Sequence, residues 1–198
     1  MTISKTIENI IKANDYNTIY TAKDFLYLTS YNNAKLILSR LCSKSIIQRL
    51  VDGMYYKAKY SNIVEDFIPV PVYTFVNKLA DIYEWNICVY GEAALNYLGL
   101  STQVPAHYVF VSDGPYREYE LYGIKIKFKH TNTKNIKNLS FKVGTIIEAL
   151  KYLGDDNITN DNINILKKNI NNEEKEELIK IKKKLPVWMN NYIERMIK

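Results

Sequence analysis

Histidine and cysteine are almost missing from this sequence, and so is any long apolar run. The two histidines, His107 and His130, stand alone in strand-like contexts. The two cysteines, Cys42 and Cys88, have neither a CxxC spacing nor a histidine nearby, so neither a zinc site nor a disulfide framework is indicated. Both thiols read as buried. No stretch approaches the roughly 20 apolar residues of a membrane span, and Met1 to Asn14 interleaves Lys5, Glu8 and Lys12 with its apolar positions, unlike a signal peptide. A cytoplasmic protein without a membrane partner is expected. With 198 residues, 47% hydrophobic content and no internal repeat, it should be compact, with one or two domains.

Catalytic groupings are equally sparse. Nucleotidyl transfer needs a Gly-Ser turn followed by spaced carboxylates that hold metal ions, but Tyr90-Gly91-Glu92 lacks the serine and no Asp-x-Asp follows. A nuclease reading would enlist Asp113, Glu120 and Lys125, yet no Glu-x-Lys lies on a central strand. Glu173-x-Lys175 has that spelling only on a predicted surface helix. No enzyme activity, cofactor or metal is expected.

Charge is present and unevenly placed. The net charge is +6, with an isoelectric point near 9.0. From Tyr16 to Tyr60, Lys23, Lys35, Arg40, Lys44, Arg49, Lys57 and Lys59 face only Asp24 and Asp52, a net of +5. From Ser61 to Tyr116 the balance reverses to −5, with Lys78 against Glu65, Asp66, Asp81, Glu84, Glu92 and Asp113. The basic block coincides with a recognisable element order. Ile7, Ile10 and Ile11 space a first amphipathic helix over Ser4 to Ala13. Thr21 and Asp24 hold the capping-box positions of a short second helix. Ala34, Ile37, Leu38 and Leu41 then form the inward stripe of a third helix that leaves Asn33, Lys35, Ser39, Arg40 and Lys44 facing outward. Two short strands meet at Asp52-Gly53, a hairpin signal.

That order predicts a winged helix-turn-helix over 1–68. The third helix would enter the major groove, with Arg49, Lys57 and Lys59 against phosphates. Pro69 and Pro71 interrupt both periodicities and mark a boundary. From 69 to 198 an α/β domain is predicted. Val72 to Ile82 keeps helical spacing, 85–90 reads as a buried strand, and a short helix runs from Gly91 to its closing glycine, Gly99. Strands at 107–112, 117–122 and 124–129 are expected to form an antiparallel meander. Helices follow at 143–153, 159–169, 173–184 and 187–197. The charge run of Glu173, Glu174, Glu176 and Glu177 ahead of Lys180 and Lys182 to Lys184 suits a solvated helix face. The fold class is therefore α+β.

In the third of those strands Ile124, Ile126 and Phe128 alternate with Lys125, Lys127 and Lys129. With Arg117, and with Lys134, Lys137 and Lys142 downstream, that row is a candidate second basic surface. A solvated sheet face is the alternative.

The stretch LGLSTQVPAHYVFVSDGPYREYELYGIKIKFKHT, Leu98 to Thr131, resembles the signature region of the AbiEi-type antitoxins, a bacterial family. TAKDFLYLTSYNNAKLILSRLCSKSIIQRLVDGMYY resembles their N-terminal winged helix, and Leu185-Pro186-Val187-Trp188-Met189 their closing helix. The resemblance implies a transcriptional autorepressor that binds inverted repeats in its own promoter and acts as the antitoxin of a type IV pair, with a nucleotidyltransferase-like toxin as partner. It also implies a recognition helix carrying Lys35, Ser39, Arg40 and Lys44, and a wing at Arg49 to Tyr56. Lys44-Ser45 stands where that family commonly has glycine, so the turn into the wing is expected to differ. Much of the central string has backbone roles: Gly99 ends a helix, Pro105 starts an extended segment and Asp113-Gly114-Pro115 makes a turn. An orphan protein-interaction module that uses the same fold without binding DNA is the competing function.

Overall fold

The computed structural model describes residues 2–132, 136, 137 and 139–198. The chain is a mixed α+β protein that divides into two compact units, Met1–Asp81 and Ile82–Lys198.

The first unit begins with α1 (Ile3–Ala13), capped by the Thr2 hydroxyl, which accepts from the Lys5 N–H. Strand β1 (Ile19–Tyr20) follows. The predicted second helix is a single 3₁₀ turn, Ala22–Phe25. Asp24 gathers donors there: its carboxylate accepts from the Thr21 backbone N–H at 2.6 Å, the Thr21 hydroxyl at 3.0 Å and Lys78 Nζ at 2.6 Å. Helix α2 (Tyr31–Ser43) starts at Ser30 and buries Ala34, Ile37, Leu38 and Leu41, the predicted stripe. These pack with Ile7, Ile11, Phe25 and Ile47 into the core of the unit.

Helix α2 ends in a Schellman closure. The N–H of Ser45 reaches the carbonyl of Cys42, and that of Ile46 reaches Leu41. Ser45 itself is left-handed, with φ +56°. The serine thus adopts the conformation a glycine would supply, and the turn keeps its hydrogen bonds. Strands β2 (Gln48–Val51) and β3 (Met54–Tyr56) turn at Asp52-Gly53, and β1 joins the far side of β3, giving the antiparallel order β1-β3-β2.

A second small hairpin, β4 (Tyr60–Ser61) with β5 (Asp66–Phe67), was not legible in the sequence. Helix α3 (Val72–Tyr83) follows Pro71 and buries Val72, Phe75, Val76 and Leu79. The units divide inside α3, beyond the boundary read at 68/69 from the prolines. The prolines break periodicity without ending the first unit, and Lys78 of α3 pairs with Asp24 within it at 2.6 Å.

The second unit is built on a four-stranded sheet of β6 (Ile87–Tyr90), β7 (His107–Ser112), β8 (Arg117–Leu121) and β9 (Ile124–His130). Its order is β6-β7-β9-β8, with β7 and β9 parallel and the other pairs antiparallel, so the expected meander is corrected. Burial explains the exchange. Ile126 and Phe128 on β9 are fully buried, with Phe128 stacked on Phe110 at 5.6 Å, and this favours a central place. Arg117, Glu118 and Glu120 on β8 are exposed and tolerate the outer position.

Between β6 and β7 lies α4 (Glu92–Tyr97), closed at Gly99 with φ +72° by the same pair of bonds that closes α2. Helix α5 (Phe141–Leu153) runs along β6, where the Thr145 hydroxyl accepts the Val89 N–H at 3.1 Å. Gly144 makes this approach possible, because a Cβ there would sit 3.0 Å from that of Cys88. Helices α6 (Asn160–Asn169), α7 (Asn172–Ile181) and α8 (Val187–Ile197) complete the unit close to their expected bounds. The acidic start of α7 is not wholly solvated: Glu174 caps with Asn171 and pairs with Lys142 at 3.1 Å, and Glu177 accepts the Ser140 N–H.

Candidate nucleic-acid interface

Helix α2 fixes the geometry of the candidate site. Its start is held by Ser30 Oγ, which accepts the Asn33 N–H, and by Asn33 Nδ2, which donates to Thr29 Oγ1 at 2.8 Å. With its apolar stripe buried, the helix presents two i, i+4 rows to solvent: Tyr31, Lys35 and Ser39, and beside them Asn32, Leu36 and Arg40. Lys35, Arg40 and the cap residue Lys44 are exposed, and among the described residues their side chains make no ion pair or hydrogen bond. Three ammonium and guanidinium groups therefore meet water on one helix, free to exchange it for phosphate oxygens or base edges.

The sequence-predicted residues do not all join this surface. Asn33 is half-buried and occupied with Thr29, so it serves the start of the helix. Lys57 is also diverted: its ammonium donates to the carbonyls of Lys12 at 2.7 Å and Asn14 at 2.5 Å and lies 4.8 Å from the Tyr16 ring. It satisfies the C-terminal end of α1, where a cation complements the helix dipole. Arg49 stays on the hairpin, with its guanidinium donating to Asp52 at 3.3 Å and to the Tyr55 hydroxyl at 3.1 Å while lying over the Tyr55 ring. Its side chain remains half exposed, so Arg49 is oriented and still reachable. Lys59 is exposed beyond β3. The β4–β5 hairpin after it carries Glu65 and Asp66, which disfavours phosphate there.

Leu36 escaped the sequence reading, although its signal was present. It is the aliphatic residue of α2 that falls off the 34, 37, 38, 41 stripe.

The second basic surface is only partly assembled. Lys125, Lys127 and Lys129 do share one face of β9. Arg117 pairs in register with Phe128 and so points to the opposite face, where its guanidinium lies 5.2 Å from the Tyr83 ring and 5.7 Å from that of Trp85. The lysines have carboxylates as neighbours: Glu118 stands opposite Lys127, bonded at 3.0 Å, and Glu120 opposite Lys125. Lys129 lies 4.8 Å from the Tyr90 ring and lines a cleft of about 210 Å³ with Glu92, His107 and Tyr152. Lys142 is held by Glu174, and Lys134 lies outside the described residues. This face is a charge-balanced ladder more than a cationic row.

The Asp113-Gly114-Pro115 turn has a structural explanation. The Asp113 carboxylate accepts from the N–H and side-chain amide of Asn86 at 2.8 and 2.7 Å. The Gly114 N–H donates to Ser112 Oγ, and its carbonyl meets His130 Nδ1 at 2.8 Å.

Comparison with known protein families matches residues 6–178 to a family of unknown function, DUF6088. The chain belongs to DUF6088. The matched span covers α2, the hairpin and the whole four-stranded sheet, and so reaches over nearly all of the first unit and most of the second. No curated protein matches the chain. Among the described residues of this DUF6088 member, no three His, Cys, Asp or Glu side chains are grouped so as to hold a metal ion. No helix among them is long and apolar enough to cross a membrane.

Proposed function

We propose that the first unit is a winged helix-turn-helix that binds double-stranded DNA, and that the chain is a cytoplasmic transcriptional regulator without enzyme activity. The observation that carries this reading is the outward face of α2, where Lys35, Arg40 and Lys44 stand exposed beside Ser39. The succession of helix, strand, 3₁₀ turn, helix and hairpin supports it, because it is the order in which the last helix is offered to the major groove. The resemblance of Leu98 to Thr131 to AbiEi-type antitoxins extends the reading to an autorepressor and antitoxin, with its own promoter and a nucleotidyltransferase-like toxin as partners.

Fluorescence titration of the DNA upstream of its own coding sequence tests the proposal. Affinity is expected to fall steeply with salt, and Arg40→Glu to abolish binding. Arg49→Gln should lower the salt slope by about one unit, the value of one phosphate contact. Lys57→Met should leave the slope unchanged, since that ammonium is engaged at the end of α1. Salt-independent binding, or Arg40→Glu binding as tightly as the parent, refutes the assignment.

A protein-interaction module is the second reading, favoured by Leu26 and Tyr27, exposed at 51% and 72% between the 3₁₀ turn and α2. It gains if the upstream DNA is not bound and a protein partner is lost on Tyr27→Ser.

A further inference from the structure

On the proposed reading helix, one of the side chains pointing away from the core is aliphatic. At about 100° per residue, Leu36 stands opposite the stripe of Ala34, Ile37, Leu38 and Leu41. It is 47% exposed and bracketed by polar groups: Asn32 and Arg40 one turn away along its row, Lys35 and Ser39 on the next. The charged flanks account for attraction to phosphate, but they give a leucine at the crest no role.

The major groove offers such a side chain one apolar group, the C5-methyl of thymine. Cations on both sides would hold the helix at the depth where the crest residue meets the base edges. We propose that Leu36 is a specificity residue that packs on a thymine methyl, so that the bound sequence carries a thymine at a fixed place between the contacts of Lys35 and Arg40. The inference rests on the reading of α2 as a major-groove helix and adds to it a base preference read without hydrogen bonds.

The test uses the full chain and short duplexes that it enriches from randomised DNA. In an enriched duplex each thymine is replaced singly by deoxyuridine, which removes the methyl and keeps the pairing. One replacement, or a symmetric pair of them, is expected to weaken binding about fourfold, the worth of burying one methyl group. Leu36→Ala should bind the thymine and uracil duplexes equally. The variant should fold, because position 36 is half exposed and alanine is the better helix former, and an unchanged melting temperature confirms this.

Equal affinity for every uracil duplex, or discrimination that persists in Leu36→Ala, overturns the proposal while DNA binding stands. Failure to enrich any duplex overturns both. Self-association that disappears in Leu36→Ala, with no thymine preference, would assign the leucine to a contact between copies instead.

Discussion

Replacing Gly114 by alanine isolates one steric contact in the second unit. The Gly114 backbone lies outside the left-handed region, so alanine meets no left-handed strain there. Its Cβ, however, would fall well inside van der Waals contact with Cδ2, Cε2 and Nε1 of the Trp85 indole. That ring has little room to yield. It stacks on Tyr83 at 4.7 Å and 21°, leans on Phe128 at 5.6 Å and lies under the Arg117 guanidinium at 5.7 Å. The backbone is also tied down, through Asp113 to Asn86 and through Gly114 to Ser112 and His130.

Expelling the indole forfeits two aromatic pairs of about 0.5–1.5 kcal/mol each and a cation–π contact of about 0.5–1 kcal/mol. A loss of about 2–3 kcal/mol follows, within the usual range for overpacking. Urea unfolding followed by circular dichroism should then show a midpoint lower by about 1 M, taking m as about 2–3 kcal/mol per molar. In a Trp188→Phe background the emission of Trp85 should also move to the red. Gly123→Ala is the control, with the opposite physics: φ is +79° and nothing lies within 4 Å of the added methyl, so only backbone strain of about 1–2 kcal/mol applies and the emission stays put. A Gly114→Ala protein with the parent midpoint and emission would refute the placement of the indole over the turn.

Ser45→Gly is expected to stabilise the first unit by about 0.5–1 kcal/mol, because the left-handed position that closes α2 suits glycine and strains serine; unfolding of the parent and variant measures it. Cys42 should react with a thiol reagent in the native protein, whereas Cys88, its pKa pushed from 9.0 up to about 12 by burial and the nearby Glu148, should react only on unfolding. Because the raised pKa belongs to the folded state, the stability linked to Cys88 is fully present below pH 9.0 and is lost as pH rises toward 12; alkaline unfolding of Cys88→Ala should lack that component.

What could be read from the sequence was whatever period and turn chemistry encode. The stripe of Ala34, Ile37, Leu38 and Leu41, the Asp52-Gly53 hairpin, the Gly99 helix end and the alternation along Ile124 to Lys129 all follow from local spacing. Strand neighbours did not, because alternation fixes which face a residue takes but not which strand lies beside it. The parallel pairing of β7 with β9 needs the β8–β9 hairpin to fold back as a unit. Arg117 looked like part of the lysine row until register set it opposite Phe128. Lys57 looked like a phosphate ligand because its true acceptors, the carbonyls of Lys12 and Asn14, are more than forty residues away in sequence. The β4–β5 pairing is two residues per strand, too short to carry a period.

The way α5 lies along β6 has a consequence for how this protein behaves at high concentration. A sheet left open at either side can recruit a strand from another molecule and grow without limit. Here the Val89 N–H, which would otherwise offer itself to an incoming chain, is already given to Thr145. The other margin, β8, presents Arg117, Glu118 and Glu120, which must shed their water before a foreign strand can dock. One side is therefore closed by a helix and the other guarded by charge, and aggregation by strand addition is resisted at both. Thr145→Val keeps the shape of the helix but frees that amide, and so marks the side from which such growth would begin.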